Sequence, residues 1–176
     1  MKQLNDQLIA LVDTNDQITG YGDKLKVHEE GTLHRAFSVF VFNKNGELLL
    51  QQRALHKYHS PGLWTNTCCS HLLQGMEMEE CVHHRLNFEM GFDTPVDFKF
   101  SFIYKAQFDN GLTEHEIDHV YFGQWEGIPT FNPDEVAALR WITLPDLKQE
   151  MELHPEKFTY WFKLILDKVE KEFLRK

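Results

Sequence analysis

Apolar and polar residues alternate along Asp97–Phe108, so that Phe98, Phe100, Phe102, Tyr104, Ala106 and Phe108 fall on one side of an extended chain. A period of two marks a strand with one face buried. The turn signal Asp109-Asn110-Gly111 joins this run to a second, His115–Trp125, and Asn43-Lys44-Asn45-Gly46 joins Ala36–Phe42 to Glu47–Gln52. Both places predict hairpins. Further strands are expected at Ala138–Thr143 and, as an N-terminal pair, at Leu8–Val12 and Gln17–Tyr21. Elsewhere the period lengthens. Glu77–Met90 sets Met78, Val82 and Leu86 on one helical stripe with Gly91 as its stop, and Glu156–Leu174 places Phe158, Trp161, Phe162, Ile165 and Val169 opposite a Lys- and Glu-rich face. The stretch Ser60–His71 reads as a loop. Strands mixed with a few helices predict a layered α/β or α+β fold with a mixed, largely antiparallel sheet. Nothing divides the 176 residues, so a single domain over 1–176 is expected.

Composition changes the picture by exclusion. With 42% hydrophobic, 13% aromatic and 26% charged residues, the chain is neither disordered nor fibrous. A formal net charge of −9 argues against non-specific nucleic-acid binding, which relies on Lys and Arg contacts to phosphates, while leaving room for a local cationic pocket. The N-terminal run Leu8–Val12 is too short for a signal core and no stretch reaches the length of a membrane span. Cys68, Cys69 and Cys81 form an odd set without disulfide-scaffold spacing, as suits free thiols in a reducing compartment. A cytoplasmic protein with no membrane or nucleic-acid partner is expected; its oligomeric state is left open, a monomer being compatible.

Ten histidines are many for this length, and neutral imidazole is a common metal ligand. Ligand-type residues stand at His28, His34, Cys69, His71, Glu114 and Glu116. If a strand begins near Glu114, the two glutamates point to the same face. Crowded carboxylates repel unless a cation or a proton lies between them. Imidazoles with carboxylates would suit Mn²⁺ or Zn²⁺ better than an all-oxygen Mg²⁺ shell. Solvated carboxylates and core histidines are the plain alternative, and spacing alone leaves both open. Cys69 reads either as an inert buried thiol or as an acid or base beside a metal, and Cys68 as packing.

The stretch Trp64-Thr65-Asn66-Thr67-Cys68-Cys69-Ser70-His71, the later Tyr104 with Glu114-His115-Glu116, and Trp161 resemble type I isopentenyl-diphosphate delta-isomerase in identity, order and spacing. Arg53-Ala54-Leu55-x-Lys57 and Asp134-Glu135-Val136 extend the resemblance from about Lys24 to Trp161. The resemblance implies a Nudix-like fold, with a Mn²⁺ or Zn²⁺ held by His28, His34, His71, Glu114 and Glu116, and no flavin. It implies that Cys69 and Glu116 flank the allylic carbons of a small diphosphate, one adding a proton and the other removing one. The tertiary carbocation between those steps would face Trp161, with Tyr104 hydrogen-bonded near the catalytic carboxylate. It assigns Lys24, Arg53, Lys57 and Arg85 to the diphosphate, and Glu89 and Cys69 to a Mg²⁺ carried with it. Arg can grip phosphate with two parallel hydrogen bonds, although Arg85 and Glu89 at i, i+4 could equally form a helix-surface salt bridge. From periodicity alone Trp161 would be core, and Tyr104 fits the apolar stripe.

The hydrolase signature of Nudix proteins, aligned to end at Gly91-Phe92, is eroded. Ser70 replaces its first Gly, Met76 its first Glu, His84 its Arg, Arg85 the next Glu and Phe88 one of the paired Glu residues, leaving Glu89 and Gly91-Phe92. Met76, His84 and Leu72 also depart from residues found in some isomerases. Diphosphate hydrolysis needs a carboxylate cluster for several Mg²⁺ ions, which makes a Nudix-type diphosphate hydrolase the second reading and a metal-stabilised binding module the third.

Overall fold

The computed structural model describes residues 8–57 and 59–175; residues 1–7, 58 and 176 of the expected domain, and with them part of the N-terminal signal reading, lie outside it. The order is β1 (Ile9–Val12), β2 (Ile18–Gly22), α1 (Lys24–Glu30), β3 (His34–Phe42), β4 (Leu48–Arg53), β5 (Trp64–Thr65), β6 (Cys68–His71), α2 (Met78–Met90), β7 (Val96–Gln107), β8 (Thr113–Gln124), β9 (Val136–Ile142), α3 (Leu144–Leu153) and α4 (Tyr160–Phe173). The strands join one mixed sheet in which β3 runs parallel to β8 and the other pairs are antiparallel. Apolar side chains pack on both faces. Phe37, Val39 and Val41 meet Val82, Leu86 and Met90 of α2 on one side, and Phe40 and Phe42 meet Phe162, Ile165 and Val169 of α4 on the other.

The second expected hairpin forms along its full length, β7 against β8. Its strict alternation does not. The register slips between Phe98 and Phe100, so Lys99 is a bulge that turns Phe98 toward His119 and Tyr121 while Phe100, Phe102, Tyr104 and Ala106 stay with α4. The first hairpin is shorter than expected. After Phe42↔Leu48 the strands part, β3 pairing with β6 and β8, and β4 with β5 and β9.

Thr65, Asn66 and Thr67, each with no exposed surface, fill this fork. The Thr67 hydroxyl accepts from Val41 N at 2.9 Å and donates to Leu49 O at 2.7 Å, while Asn66 Nδ2 donates to Val39 O at 3.2 Å. Side chains thus replace the missing ladder, and the stretch read as a loop contains β5 and β6. Thr67→Val keeps the shape but strands a buried N–H and a buried C=O, which should cost about 2–4 kcal/mol. Urea unfolding should show a lower midpoint at unchanged slope; Thr67→Ser, which keeps the hydroxyl, should lose only about 1 kcal/mol.

Helix α2 begins as its sequence directs. Glu77 and Glu80 form a reciprocal capping box, and Gly91 closes the helix at φ 70°, where a Cβ would lie 1.9 Å from Thr130 O. The tail differs from the single helix expected. Pro155–Lys157 is a 3-10 turn, Phe158 bridges to Trp64, and Thr159 N donates to Trp64 O at 3.0 Å before α4 starts at Tyr160. That break sets Trp161 in the first turn of α4, next to the fork. No helix among the described residues is long and apolar enough to cross a membrane.

Candidate active site

Strand parity assembles the site. His34, Ala36 and Ser38 occupy the start of the β3 face that continues as Phe40 and Phe42, so one face passes from polar site to aromatic core. On its neighbours, Cys69 and His71 of β6 and Glu114, Glu116 and Asp118 of β8 share that side; register places Ser38 beside Cys69 and His34 beside Glu116. Helix α1 adds Lys24 and His28, one turn apart. A single cavity is lined by all of the expected site residues except His34, which is fully buried behind it.

One end of the cavity holds a compact cluster. Ligand atoms of His28, His34, His71 and Glu116 all lie within 4.8 Å of one another. Their outer nitrogens are fixed: His28 Nδ1 donates to Lys24 O at 2.7 Å and His34 Nδ1 to Thr32 O at 2.8 Å. Such backbone acceptors settle the tautomer and turn Nε2 inward, as partners of metal-bound histidines do. His71 Nε2 is 3.1 Å from Glu116 Oε1; His34 Nε2 is 3.3 Å from the same oxygen, without hydrogen-bond geometry, and is left as a buried nitrogen with no hydrogen-bond partner. Burial pushes the imidazoles down, His28 to about 4 and His71 to about 3, so both are neutral and able to offer lone pairs. Burial pushes Glu116 up, but the imidazole nitrogens of His34 and His71 packed on its Oε1 outweigh it and hold the carboxyl well below the usual range, which takes a proton or a cation shared at that oxygen. These donors fit a divalent cation.

Glu114 stands beside this cluster, outside the group of four. Its Oε1 is 2.8 Å from His59 Nε2, and burial together with the nearby Glu116 charge raises its pKa. The Tyr104 hydroxyl lies 2.9 Å from Glu114 and 2.7 Å from Glu116. One phenol proton cannot fully serve two carboxylates, so the pair calls for a further proton or a cation. Cys69 lines the same cavity, its thiol pushed by burial to about 12.

The other end is a charge network. Glu89 accepts from Arg85 Nη2 at 2.5 Å and from Gln51 Nε2 at 2.9 Å; Glu135 accepts from Lys57 and lies 3.5 Å from Arg85 Nη2. The Arg85–Glu89 pair is therefore no surface bridge: its side chains are 14% and 6% exposed. Arg53 donates to His59 O at 2.9 and 3.2 Å and stands 5.6 Å above the Trp161 ring. Among the described residues Trp161 Nε1 has no hydrogen-bond partner, and contacts to its ring place the indole.

Asp118, Gln51 and His59 escaped the sequence reading, and Glu135 entered it only within Asp134-Glu135-Val136, without a role. Asp118 continues the Glu114, Glu116 parity, which was the available signal. Its Oδ2 accepts from Ser38 at 2.7 Å, its Oδ1 has no partner, and burial, followed by the Glu116 charge, raises its pKa well above the usual value. Gln51 carries no pattern of its own. His59 lies in an irregular connection where no spacing rule applies.

The NUDIX domain family matches residues 32–162, which take in the sheet from β3 onward and α2. Among solved structures the chain resembles DR0079 from Deinococcus radiodurans, at a TM-score of 0.69 and 18% identity over 83% of this chain and 89% of that one. It also resembles a MutT protein from Methanosarcina mazei, at a TM-score of 0.67 and 15% identity over 81% and 96%. At those identities the likeness establishes the fold. Closer in sequence are curated proteins named isopentenyl-diphosphate delta-isomerase. One from Pectobacterium atrosepticum is 47% identical over 92% of this chain and 90% of its own. Another, from Photorhabdus laumondii, is 46% identical over 92% of each. Identity of that degree over some nine-tenths of both chains makes this chain a member of the isopentenyl-diphosphate delta-isomerase family, built on the Nudix fold.

Proposed function

We propose that the protein interconverts isopentenyl and dimethylallyl diphosphate by protonating the alkene and deprotonating the resulting tertiary carbocation. The observation that carries this reading is that Cys69 and Glu116 line one cavity, with Trp161 and Tyr104 beside them and a cationic network at one end. The diphosphate takes Arg53, Lys57, Arg85 and Lys24, leaving the five-carbon tail between the thiol and the carboxylate. One adds a proton to the terminal alkene carbon, the other removes one from the CH₂ on the far side of the tertiary cationic carbon, and the roles exchange in the reverse direction. Tyr104 keeps Glu116 turned toward the substrate.

His28, His34, His71 and Glu116 would hold Mn²⁺ or Zn²⁺, with Glu114 able to join through the oxygen facing Tyr104, while Glu89 and Cys69 would meet a Mg²⁺ brought in on the diphosphate. When bound, these cations hold Glu116 ionised and offset the phosphate charge. A Nudix hydrolase needs clustered acids on the helix after the signature loop. Here Arg85 and Phe88 stand where two of them would be. The free thiols Cys68, Cys69 and Cys81 suit the cytoplasm.

Incubation with isopentenyl diphosphate in deuterated water should yield dimethylallyl diphosphate carrying deuterium. Release of phosphate would favour the hydrolase, and no turnover the binding module. Trp161→Leu should lower kcat by roughly 10- to 30-fold with little change in KM, because an aromatic face contributes about 2 kcal/mol to a desolvated cation that exists only beyond the ground state. A rise in KM alone would remove Trp161 from the chemistry.

A further inference from the structure

We propose that His59 is a positioning residue that ties the metal-side carboxylate Glu114 to the indole of Trp161. The proposal rests on the isomerase reading for the meaning of Trp161, and on geometry for the rest. His59 Nε2 is 2.8 Å from Glu114 Oε1. The same imidazole stacks on Trp161, centroids 5.8 Å apart at 26°, and its edge meets Phe108 at 4.4 Å and 78°. The residue is 8% exposed, so neither contact is an incidental surface one.

The connection between β4 and β5 is shaped to hold this ring. Arg53 grips the His59 carbonyl through Nε and Nη2. The next residue, Ser60, takes φ 48°, a left-handed setting that residues with a Cβ seldom adopt and that persists where surrounding contacts impose it. Gly62 N donates to Arg53 O at 3.1 Å and Gln52 Nε2 to Gly62 O at 2.9 Å, which closes the connection behind the ring.

Two consequences follow from one side chain. Glu114 is the carboxylate left outside the compact cluster, and its second oxygen faces Tyr104; a partner on Oε1 fixes which way Oε2 points. Groups that orient a ligand from behind typically contribute 10- to 100-fold in metal affinity. Among the described residues Trp161 Nε1 has no hydrogen-bond partner, so the His59 imidazole face, together with the Arg53 guanidinium over the ring, sets its tilt toward the cavity.

His59→Phe keeps the stack and loses the Glu114 contact, whereas His59→Gln keeps a polar group toward Glu114 and loses the stack. Zn²⁺ or Mn²⁺ affinity measured by chelator competition should fall about tenfold or more in His59→Phe and stay within threefold of wild type in His59→Gln. Tryptophan emission should shift in His59→Gln, and that shift should vanish in a Trp161→Phe background. With isopentenyl diphosphate, His59→Gln should lose kcat with KM retained. Unchanged metal affinity in His59→Phe with unchanged emission in His59→Gln overturns the proposal. So does an equal loss in both variants on both readouts, which would make His59 packing alone. Should the wild type itself give no dimethylallyl diphosphate, the isomerase reading fails, while the metal and emission measurements still decide the link.

Discussion

Cys69→Ala is expected to give a folded protein that binds isopentenyl diphosphate nearly as well as wild type and converts it about 10³-fold more slowly. Positioned acid–base groups typically contribute 10²- to 10⁴-fold, and an unactivated alkene offers no other handle for catalysis. Folding should survive because the substitution removes one atom from a half-buried side chain whose backbone is held in the β3–β6 ladder. Binding should largely survive because Arg53, Lys57 and Arg85 are untouched and Glu89 still faces the Mg²⁺ that Cys69 would share. Glu116→Gln should be as slow but is less clean, since the same oxygen serves His34 and His71 and metal content will drop with it. The decisive pair is therefore a rate of dimethylallyl diphosphate formation and a calorimetric Kd on Cys69→Ala. A rate within tenfold of wild type would remove Cys69 from proton transfer, and a lost Kd with a normal single-turnover rate would make it a binding residue.

What could be read without the structure divides by the range of the interactions involved. Helix α2 was legible because its signals are local: a stripe at Met78, Val82 and Leu86, and Gly91 at its end. So was the shared face of Glu114 and Glu116, since a strand's parity needs only two residues. The bulge at Lys99 was not, because an extra residue in a ladder is specified by the partner strand and not by its own identity. Ser60–His71 misled for a related reason. Strands of two and four residues, held by Thr67 and Asn66 side chains in a fork, leave no periodic trace. The tail helix broke at Phe158 because a bridge to Trp64 outweighed helical spacing. The His28, His34, His71 and Glu116 cluster draws on α1, β3, β6 and β8, and only family resemblance could unite it in advance. His59 shows the remaining limit, as its partners Glu114 and Trp161 lie far along the chain.

Removing divalent cations should abolish turnover and lower the melting temperature, and returning Mn²⁺ or Zn²⁺ should restore both. The fold buries three imidazoles around one carboxylate, and without a cation His34 Nε2 has no hydrogen-bond partner while Tyr104 must answer two carboxyls with one proton. A cation that binds only the folded chain stabilises it by about 2.7 kcal/mol at a hundredfold excess over Kd, which for a chain of this size corresponds to roughly 5–10 °C. Mg²⁺ alone should not substitute, because it prefers oxygen ligands and keeps its waters, whereas this shell is mostly nitrogen. His71→Ala takes one lone pair from the cluster while leaving α1 and β3 intact, so the metal-dependent part of its melting temperature should shrink and its stripped form should melt close to the stripped wild type. If chelation leaves the wild-type melting curve in place, or if His71→Ala responds to Zn²⁺ and Mn²⁺ as the wild type does, the cluster is a buried hydrogen-bond network, and Glu116 must be held ionised by its imidazole neighbours alone.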